Sequence, residues 1–360
     1  MKYVEEYRDP HLARHLIHKI AAIFTPPIRI MEVCGTHTVS IFRSGIRSLL
    51  PATLSLISGP GCPVCVTDQR EIDAAIALAG LENVILTTFG DLMRVPGTLS
   101  SLQKKQAAGS DIRIVYSTSD ALDLARRHPD KQVVFLGVGF ETTIPTVAAA
   151  VLAAAEADLS NFFVYCAHKC MPPALDMLMA DPEAGIDGFL LPGHVSAIIG
   201  TEAYRPFFEK YRIPCVVAGF EPVDILQAVL RLSKMIQVDA PKLENAYPRV
   251  VRPEGNPAAL KVIREIFEPC DAIWRGIGRI PGSGFRFREK YRPYDAEGHF
   301  QINVPESVMP KGCACGDILT GKKMPPDCPL YKTRCTPINP VGPCMVSSEG
   351  TCAAYFKYSG

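Results

Sequence analysis

Short apolar runs and helical-period segments alternate along the first two-thirds of the chain. Leu12, Leu16, Ile20 and Ile23 recur at helical spacing, which predicts an amphipathic helix within residues 1–25, stopped by Pro26 and Pro27. "IRIMEVCG" (28–35) and "ATLSLISGPGCPVC" (52–65) read as buried strands that run into glycine-rich loops. A helix over 69–80 follows, then strands within 83–97, 111–117 and 132–143, with a helix over 121–129 between the last two. The same order resumes with a helix over 146–157, strands within 161–169, 186–196 and 213–224, and a helix over 225–236. Strands and helices in this alternation predict an α/β fold with parallel sheets covered by helices.

The pattern predicts four parts. An N-terminal helix (1–27) is expected to pack with the C-terminal region, and two similar α/β domains (28–143 and 144–240) to face a cleft. "TTFGDLMRVPG" with "VAGFEPVDILQ", and "ISGPGCP" with "LLPGHVS", sit at comparable places in the two halves and suggest an internal duplication. The remainder (241–360) opens with a proline-rich linker and one helix and has almost no periodicity after Gly276. Such a segment buries too little apolar surface to fold unaided, and a bound metal centre is the constraint it lacks.

Composition narrows the classes. The chain has 360 residues, 48% hydrophobic and 21% charged, and a net charge of +1. That balance gives no electrostatic footprint for nucleic acid or an anionic membrane. The first twenty residues carry acids and no long apolar run, so neither a signal peptide nor a membrane span is expected. Thirteen cysteines without an export signal point to a reducing cytoplasm and to metal-binding or redox thiols. No P-loop and no G-x-G-x-x-G occurs, which leaves nucleotide chemistry without support.

The candidate chemistry lies in loops that follow strands, where α/β sheets gather ligands. Cys34 precedes a glycine, with His37 three residues on. A thiol beside an imidazole can serve as nucleophile or soft ligand, although a lone strand-end cysteine is more often merely buried. Cys62 and Cys65 form C-P-V-C, the spacing of a reversible dithiol or of half a metal site. Glu141 in "GFETT" and Asp91 in "FGDLMR" are strand-end carboxylates suited to acid–base work or capping, and capping weighs equally with function for Thr142 and Thr143. His194 in "PGHVS" suits proton transfer or ligation, or simply a helix start. His168 and Cys170 have weaker support, and Cys166, Cys215 and Cys270 read as core or incidental cysteines.

Six further cysteines crowd the last forty-eight residues: Cys313, Cys315, Cys328, Cys335, Cys344 and Cys352. Four thiolates hold an iron–sulfur cluster, and they suit zinc equally. Spacing alone does not choose four from the six, and none matches the short C-x₂-C-x₂-C run of bacterial ferredoxins. A spare pair beside a cluster would allow electrons to pass between cluster and disulfide.

Taken together, "MEVCGTHT", "SGPGCPVCVT", "TFGDLMRVPG", "GFETT", "LPGHVSAIIG" and the cysteine-rich tail resemble the HypD family of [NiFe]-hydrogenase maturation factors over nearly the whole chain. The resemblance implies two α/β domains around a cleft and a third region with a [4Fe–4S] cluster. The family's C-x₁₄-C-x₆-C-x₁₆-C pattern falls on Cys313, Cys328, Cys335 and Cys352, leaving Cys315 and Cys344 as a possible redox pair. It further implies a metallocofactor-assembly scaffold rather than a conventional turnover enzyme, monomeric before complex formation. Such a scaffold builds the Fe(CN)₂CO moiety with HypC, accepts cyanide from HypE, and passes the product to the hydrogenase large subunit. Cys34 would hold the transient iron with a cysteine of HypC, and Cys62 and Cys65 would relay electrons. His37, Glu141 and His194 would manage protons or hydrogen-bond cyanide. The competing readings are a cluster-dependent thiol/disulfide oxidoreductase acting on a small substrate and a zinc-stabilised binding module.

Overall fold

The computed structural model describes residues 5–23, 26–304 and 306–359. Among these, eleven strands form three sheets: β1 (Ile28–Glu32), β2 (Leu54–Ser58), β3 (Val84–Thr88), β4 (Ile112–Ile114), β5 (Gln132–Gly137), β6 (Phe162–Cys166), β7 (Gly188–Pro192), β8 (Cys215–Ala218), β9 (Leu243–Asn245), β10 (Phe267–Trp274) and β11 (Gly278–Phe287). Two sheets are parallel, ordered β2-β1-β7-β8-β9 and β4-β3-β5-β6, and the third is the antiparallel hairpin β10-β11. The α/β class with two parallel sheets is as the pattern predicts. The central strands carry unbroken apolar runs because both of their faces are covered: Val133, Val134, Phe135 and Leu136 of β5 have no exposed surface.

The division at residue 143/144 is corrected. The chain lays down β1 and β2, builds the whole of the β3–β6 sheet, and then returns to add β7, β8 and β9 beside β1. One α/β unit is therefore inserted in the other, and 143/144 falls between β5 and β6 of a single sheet. The duplication exists in a different frame. In both units the first strand is central, the second lies outside it, and the third and fourth follow on the other side. The equivalent loops are those after β1 and β3, which carry Cys34 and Asp91, and those after β5 and β7, which carry Glu141 and His194. The segment pairs matched in the sequence are not these equivalents. Local periodicity reports that a strand exists but not which sheet it joins.

The N-terminal helix spans Pro10–Ala21. Asp9 caps it, accepting from the His11 and Leu12 amides, and Pro10 supplies the fixed φ that suits a first turn. The expected extension over residues 1–4 and 24–25 lies outside the described residues. Leu16 and Ile20 bury against the apolar face of the helix Pro222–Gln237, alongside Ile225, Leu226 and Val229. The expected packing with the C-terminal region is met through its first residues, where the Arg249 guanidinium lies 3.6 Å over the Tyr7 ring, and not through the cysteine-rich tail. The tail takes a different seat: its final helix, Thr351–Tyr358, lies against the helix Gly35–Arg43, with the Phe42 and Tyr355 rings 4.5 Å apart edge to face.

The hairpin was not expected after Gly276. Its outer face carries Glu268, Arg279 and Arg286, which hides a two-residue period behind charge. Its inner face buries Phe267, Trp274, Ile280 and Phe287, and the Trp274 indole donates to Ser283 Oγ at 2.9 Å. Among the described residues no helix is long and apolar enough to cross a membrane.

Candidate functional site

The carboxyl ends of β1 and β7, where the order of the first sheet reverses, form the kind of crevice in which open α/β sheets bind ligands. Cys34 ends the β1 segment in extended conformation (φ −150°) and stands at the N-cap of the helix Gly35–Arg43. The backbone amides of Thr36 and His37 point at its sulfur and favour the thiolate, as the helix N-terminus does. Burial outweighs them, together with the Glu349 carboxylate, and the thiol is pushed up to about 12. The thiol is therefore protonated at neutral pH, and a soft metal binding there releases its proton. Beneath it Glu32 is fully enclosed, accepts from the Cys34 amide and the Thr38 hydroxyl, and is raised by burial to about 8.

His37 is buried and its Nε2–H donates to Gly219 O at 2.9 Å, which leaves Nδ1 as a lone pair with no partner. Burial lowers its pKa to about 4, so the ring is neutral. Phe220 touches both His37 (ring centroids 4.6 Å apart) and His194 (3.9 Å, stacked). His194 keeps an exposed edge at the rim, and partial burial lowers its pKa. Glu141 is buried after β5. Its Oε1 accepts from the Met171 amide at 2.9 Å, Oε2 has no partner, and burial pushes it up to about 7. The capping reading of Thr142 and Thr143 is not upheld: Thr143 occupies the N-cap of the helix Ile144–Glu156 without a side-chain cap bond. Asp91 is exposed and accepts from Ser347 Oγ of the tail at 3.1 Å.

The C-P-V-C loop touches Cys34 directly. Gly35 N donates to Gly61 O at 3.0 Å, and a Cβ on Gly61 would lie 2.2 Å from Cys34 N. Cys62 caps the short helix Pro63–Val66, its sulfur accepting from the Cys65 amide at 3.3 Å. The helix Pro63–Val66 packs on the turn Pro343–Met345, which sets Cys65 beside Cys344. The sulfurs of Cys344 and Cys315 are 3.3 Å apart, and Cys315 shares the lining of one cavity with Cys313. Five thiols thus run in series from the loop beside Cys34 into the tail.

That series ends at a small enclosed cavity. All six tail cysteines, Cys313, Cys315, Cys328, Cys335, Cys344 and Cys352, line it, with Ile318, Leu330 and Met345 as apolar wall. The Cys352 thiol feels the charge of Cys313, Cys335 and Cys328. Tyr331, between two of these cysteines in the chain, lines the same cavity and its buried hydroxyl has no partner. Six soft donors around an apolar void with an orphaned hydrogen-bond donor are enough for a cluster ligated by four thiolates, and the void by itself does not choose the four. Among the described residues no group of three or more His, Cys, Asp or Glu side chains is arranged to hold a single metal ion.

A family model described as HypD, "Hydrogenase formation hypA family", matches residues 11–359. The chain belongs to the HypD family. It is similar to the hydrogenase maturation factor HypD of Rhodobacter capsulatus, with 46% identity over 375 residues, covering all of this chain and 99% of the relative. The HypD of Rhizobium leguminosarum is 47% identical (99% and 96% covered), and that of Escherichia coli K12 46% identical (99% and 98% covered).

In this HypD-family chain, then, Cys34, His37, His194, Cys62 and Cys65 come together around the first sheet, with Asp91 tied in through the tail. Glu141 stands apart from that group, after β5 of the other sheet; the buried Tyr204 phenol, paired with Ser196 Oγ at 3.3 Å, feels the charge of both Glu141 and Cys34. Tyr204 passed unnoticed in the sequence, and so did Glu349. Glu349 accepts from the Thr36 hydroxyl at 2.6 Å, and its Cβ would sit 2.6 Å from a Cβ on Gly35. The one signal for Glu349 was its place in "SSEGTC" among the tail cysteines. Cys215 is core, as expected. Cys166 and Cys270 are half-buried instead and line a separate pocket of about 310 Å³ with His168 and the buried Lys169–Glu71 ion pair. Cys170 stands at the N-cap of the helix Met171–Met179.

Proposed function

We propose that this chain is a hydrogenase maturation factor that holds an iron ion at Cys34 while the Fe(CN)₂CO moiety is assembled. It acts with a HypC-like partner that supplies a second thiolate and a HypE-like partner that delivers cyanide, and the product passes to a hydrogenase large subunit. The observation that carries this reading is the run of neighbouring thiols from the cysteine-lined cavity to the loop packed on Cys34. The relatives' printed names, hydrogenase maturation factors, support the process.

The chemistry follows from the donors present. Low-spin iron with cyanide and CO favours soft, electron-donating thiolate, which Cys34 supplies at the mouth of the crevice. Release of cyanide from a thiocyanate carrier needs two electrons. Cys62 and Cys65 supply them: the carrier's S–CN bond breaks, cyanide leaves with its electron pair, the carrier sulfur gains a hydrogen and becomes a thiol, and the dithiol closes to a disulfide with loss of the remaining proton. Cys344 would then attack the Cys65 sulfur of that disulfide, and Cys315 would close on Cys344, which restores the Cys62–Cys65 dithiol. A [4Fe–4S] cluster held by Cys313, Cys328, Cys335 and Cys352 would supply single electrons there when bound. The neutral His37, with its free Nδ1, suits acceptance of a hydrogen bond near the iron, and Glu141, poised near neutrality, suits proton exchange. Such thiol chemistry belongs in a reducing cytoplasm.

The deciding experiment is anaerobic co-purification with a HypC-like partner, read by infrared spectroscopy. Bands of metal-bound CN and CO are expected for the native chain and absent for Cys34→Ala, with the cluster absorbance unchanged. Loading of those bands by Cys34→Ala removes the role given to Cys34. Disulfide reductase activity without such bands would favour an oxidoreductase.

A further inference from the structure

Arg275 stands at the tip of the β10–β11 hairpin and is 1% exposed. Its backbone N donates to Val66 O at 2.9 Å, Nε to Thr67 O at 2.8 Å, and Nη1 to Gln69 Oε1 at 2.6 Å. All three acceptors are neutral. Nη2 is buried and has no partner, and among the described residues no carboxylate forms an ion pair with this guanidinium. A guanidinium does not lose its proton in a protein, and a buried ion without a counter-charge is among the most costly features a fold can contain. The missing anion has to be close.

The surroundings identify it. Val66 and Thr67 directly follow Cys65 in the chain. On the other side the hairpin tip is pressed onto the tail: a Cβ on Gly276 would lie 2.7 Å from Gly316 Cα, and one on Gly316 would lie 2.2 Å from Gly276 O. Arg275 is thereby wedged between the C-P-V-C loop and the Cys315–Gly316 turn. Cys315, which begins that turn, lines the tail cavity, so the hairpin tip that carries Arg275 is seated against the cavity's wall. We propose that Arg275 is the fixed counter-charge of the thiol series, placed to stabilise negative charge on the sulfur of the cysteine-lined cavity. This rests on the cluster reading above and adds to it. A cluster ligated by four thiolates is anionic and becomes more so by one unit on reduction. A buried cation beside it stabilises the reduced form more than the oxidised form and raises the reduction potential.

The test is a spectroelectrochemical titration of the full chain, loaded with cluster under anaerobic conditions and read by sulfur-to-iron charge-transfer absorbance. Arg275→Gln removes the charge and keeps donors. Gln69→Glu leaves Arg275 in place and gives it a carboxylate of nearly the same shape as the amide. Each is expected to reduce the ratio of reduced to oxidised cluster, at the native midpoint, tenfold or more, which is about 59 mV for a one-electron couple. Arg275→Lys, which keeps the charge, is expected to stay near the native value. Native ratios in both charge-altering variants, with the cluster bound, overturn the proposal. If Arg275→Gln does not take up the cluster, Gln69→Glu decides alone. A native chain without charge-transfer absorbance overturns the cluster reading itself.

Discussion

At Cys34 the sulfur is positioned by backbone rather than by side-chain partners. The strand end sets its φ, the helix amides face it, and Gly61 packs so closely that a Cβ there would meet backbone at 2.2 Å. Backbone cannot swing aside as a side-chain tip can. Gly61→Ala is therefore expected to cost about 1–3 kcal/mol, as overpacking does, and to displace Cys34. Thermal unfolding and iron retained per chain should both fall although every thiol remains. Unchanged iron retention would show that the close approach does not set the site. Glu141 gives a second expectation, with a sign. Burial raises its folded pKa to about 7, against roughly 4.3 in an unfolded chain. Stability linked to the protonated carboxyl is complete below the unfolded value, falls as pH rises through the interval, and is gone above about pH 7. Glu141→Gln is always neutral, so it should gain on the native chain by roughly 3 kcal/mol between pH 4 and 8. Urea unfolding across that range checks it, and parallel pH profiles for the two chains would refute it.

At the scale of elements, the two parallel sheets share one strand order, so equivalent loops carry the chemistry: those after β1 and β3, and those after β5 and β7. Strand positions were legible in the sequence because doubly covered strands must be continuous apolar runs bounded by glycine or proline. Their assignment to sheets was not, since β2 and β7 look alike locally and only tertiary pairing places β7 beside β1. The cysteines, histidines and Glu141 were legible by residue type. Arg275, Tyr204 and Glu349 were not, because a single arginine, tyrosine or glutamate is unremarkable until burial removes its solvent. The N-terminal helix is the element most separate from this chemistry. Leu16 buries against the helix Pro222–Gln237, so Leu16→Ala is expected to cost about 2–5 kcal/mol in global stability. Cluster absorbance and iron retention of the folded variant should match the native chain. A specific loss of either, at temperatures where the chain remains folded, would mean that this helix supports the site after all.

At the scale of the whole molecule, the tail holds the two units in register while presenting the sulfur series to both. Ser347 reaches Asp91 of the inserted unit, and Glu349 reaches Thr36 of the outer one. Cys344 belongs to the lining of the cavity and is the thiol that lies beside Cys65 on one side and Cys315 on the other. Its replacement separates two ideas that otherwise travel together. If the series is merely a packed cluster of buried thiols, Cys344→Ser, with one light atom exchanged, should change little. If the series carries reducing equivalents, the break is complete, because a hydroxyl neither attacks a disulfide nor closes one. The expectation is that Cys344→Ser binds its cluster with native absorbance and unfolds at a similar temperature. Its Cys62–Cys65 disulfide, once formed, should then stay oxidised when limiting reductant is supplied, whereas the native chain regains two free thiols. Alkylation followed by peptide mass analysis counts those thiols directly. Equal recovery in both chains would mean that electrons reach the C-P-V-C loop by another route, most directly from solvent, and the tail would then be a brace rather than a conductor.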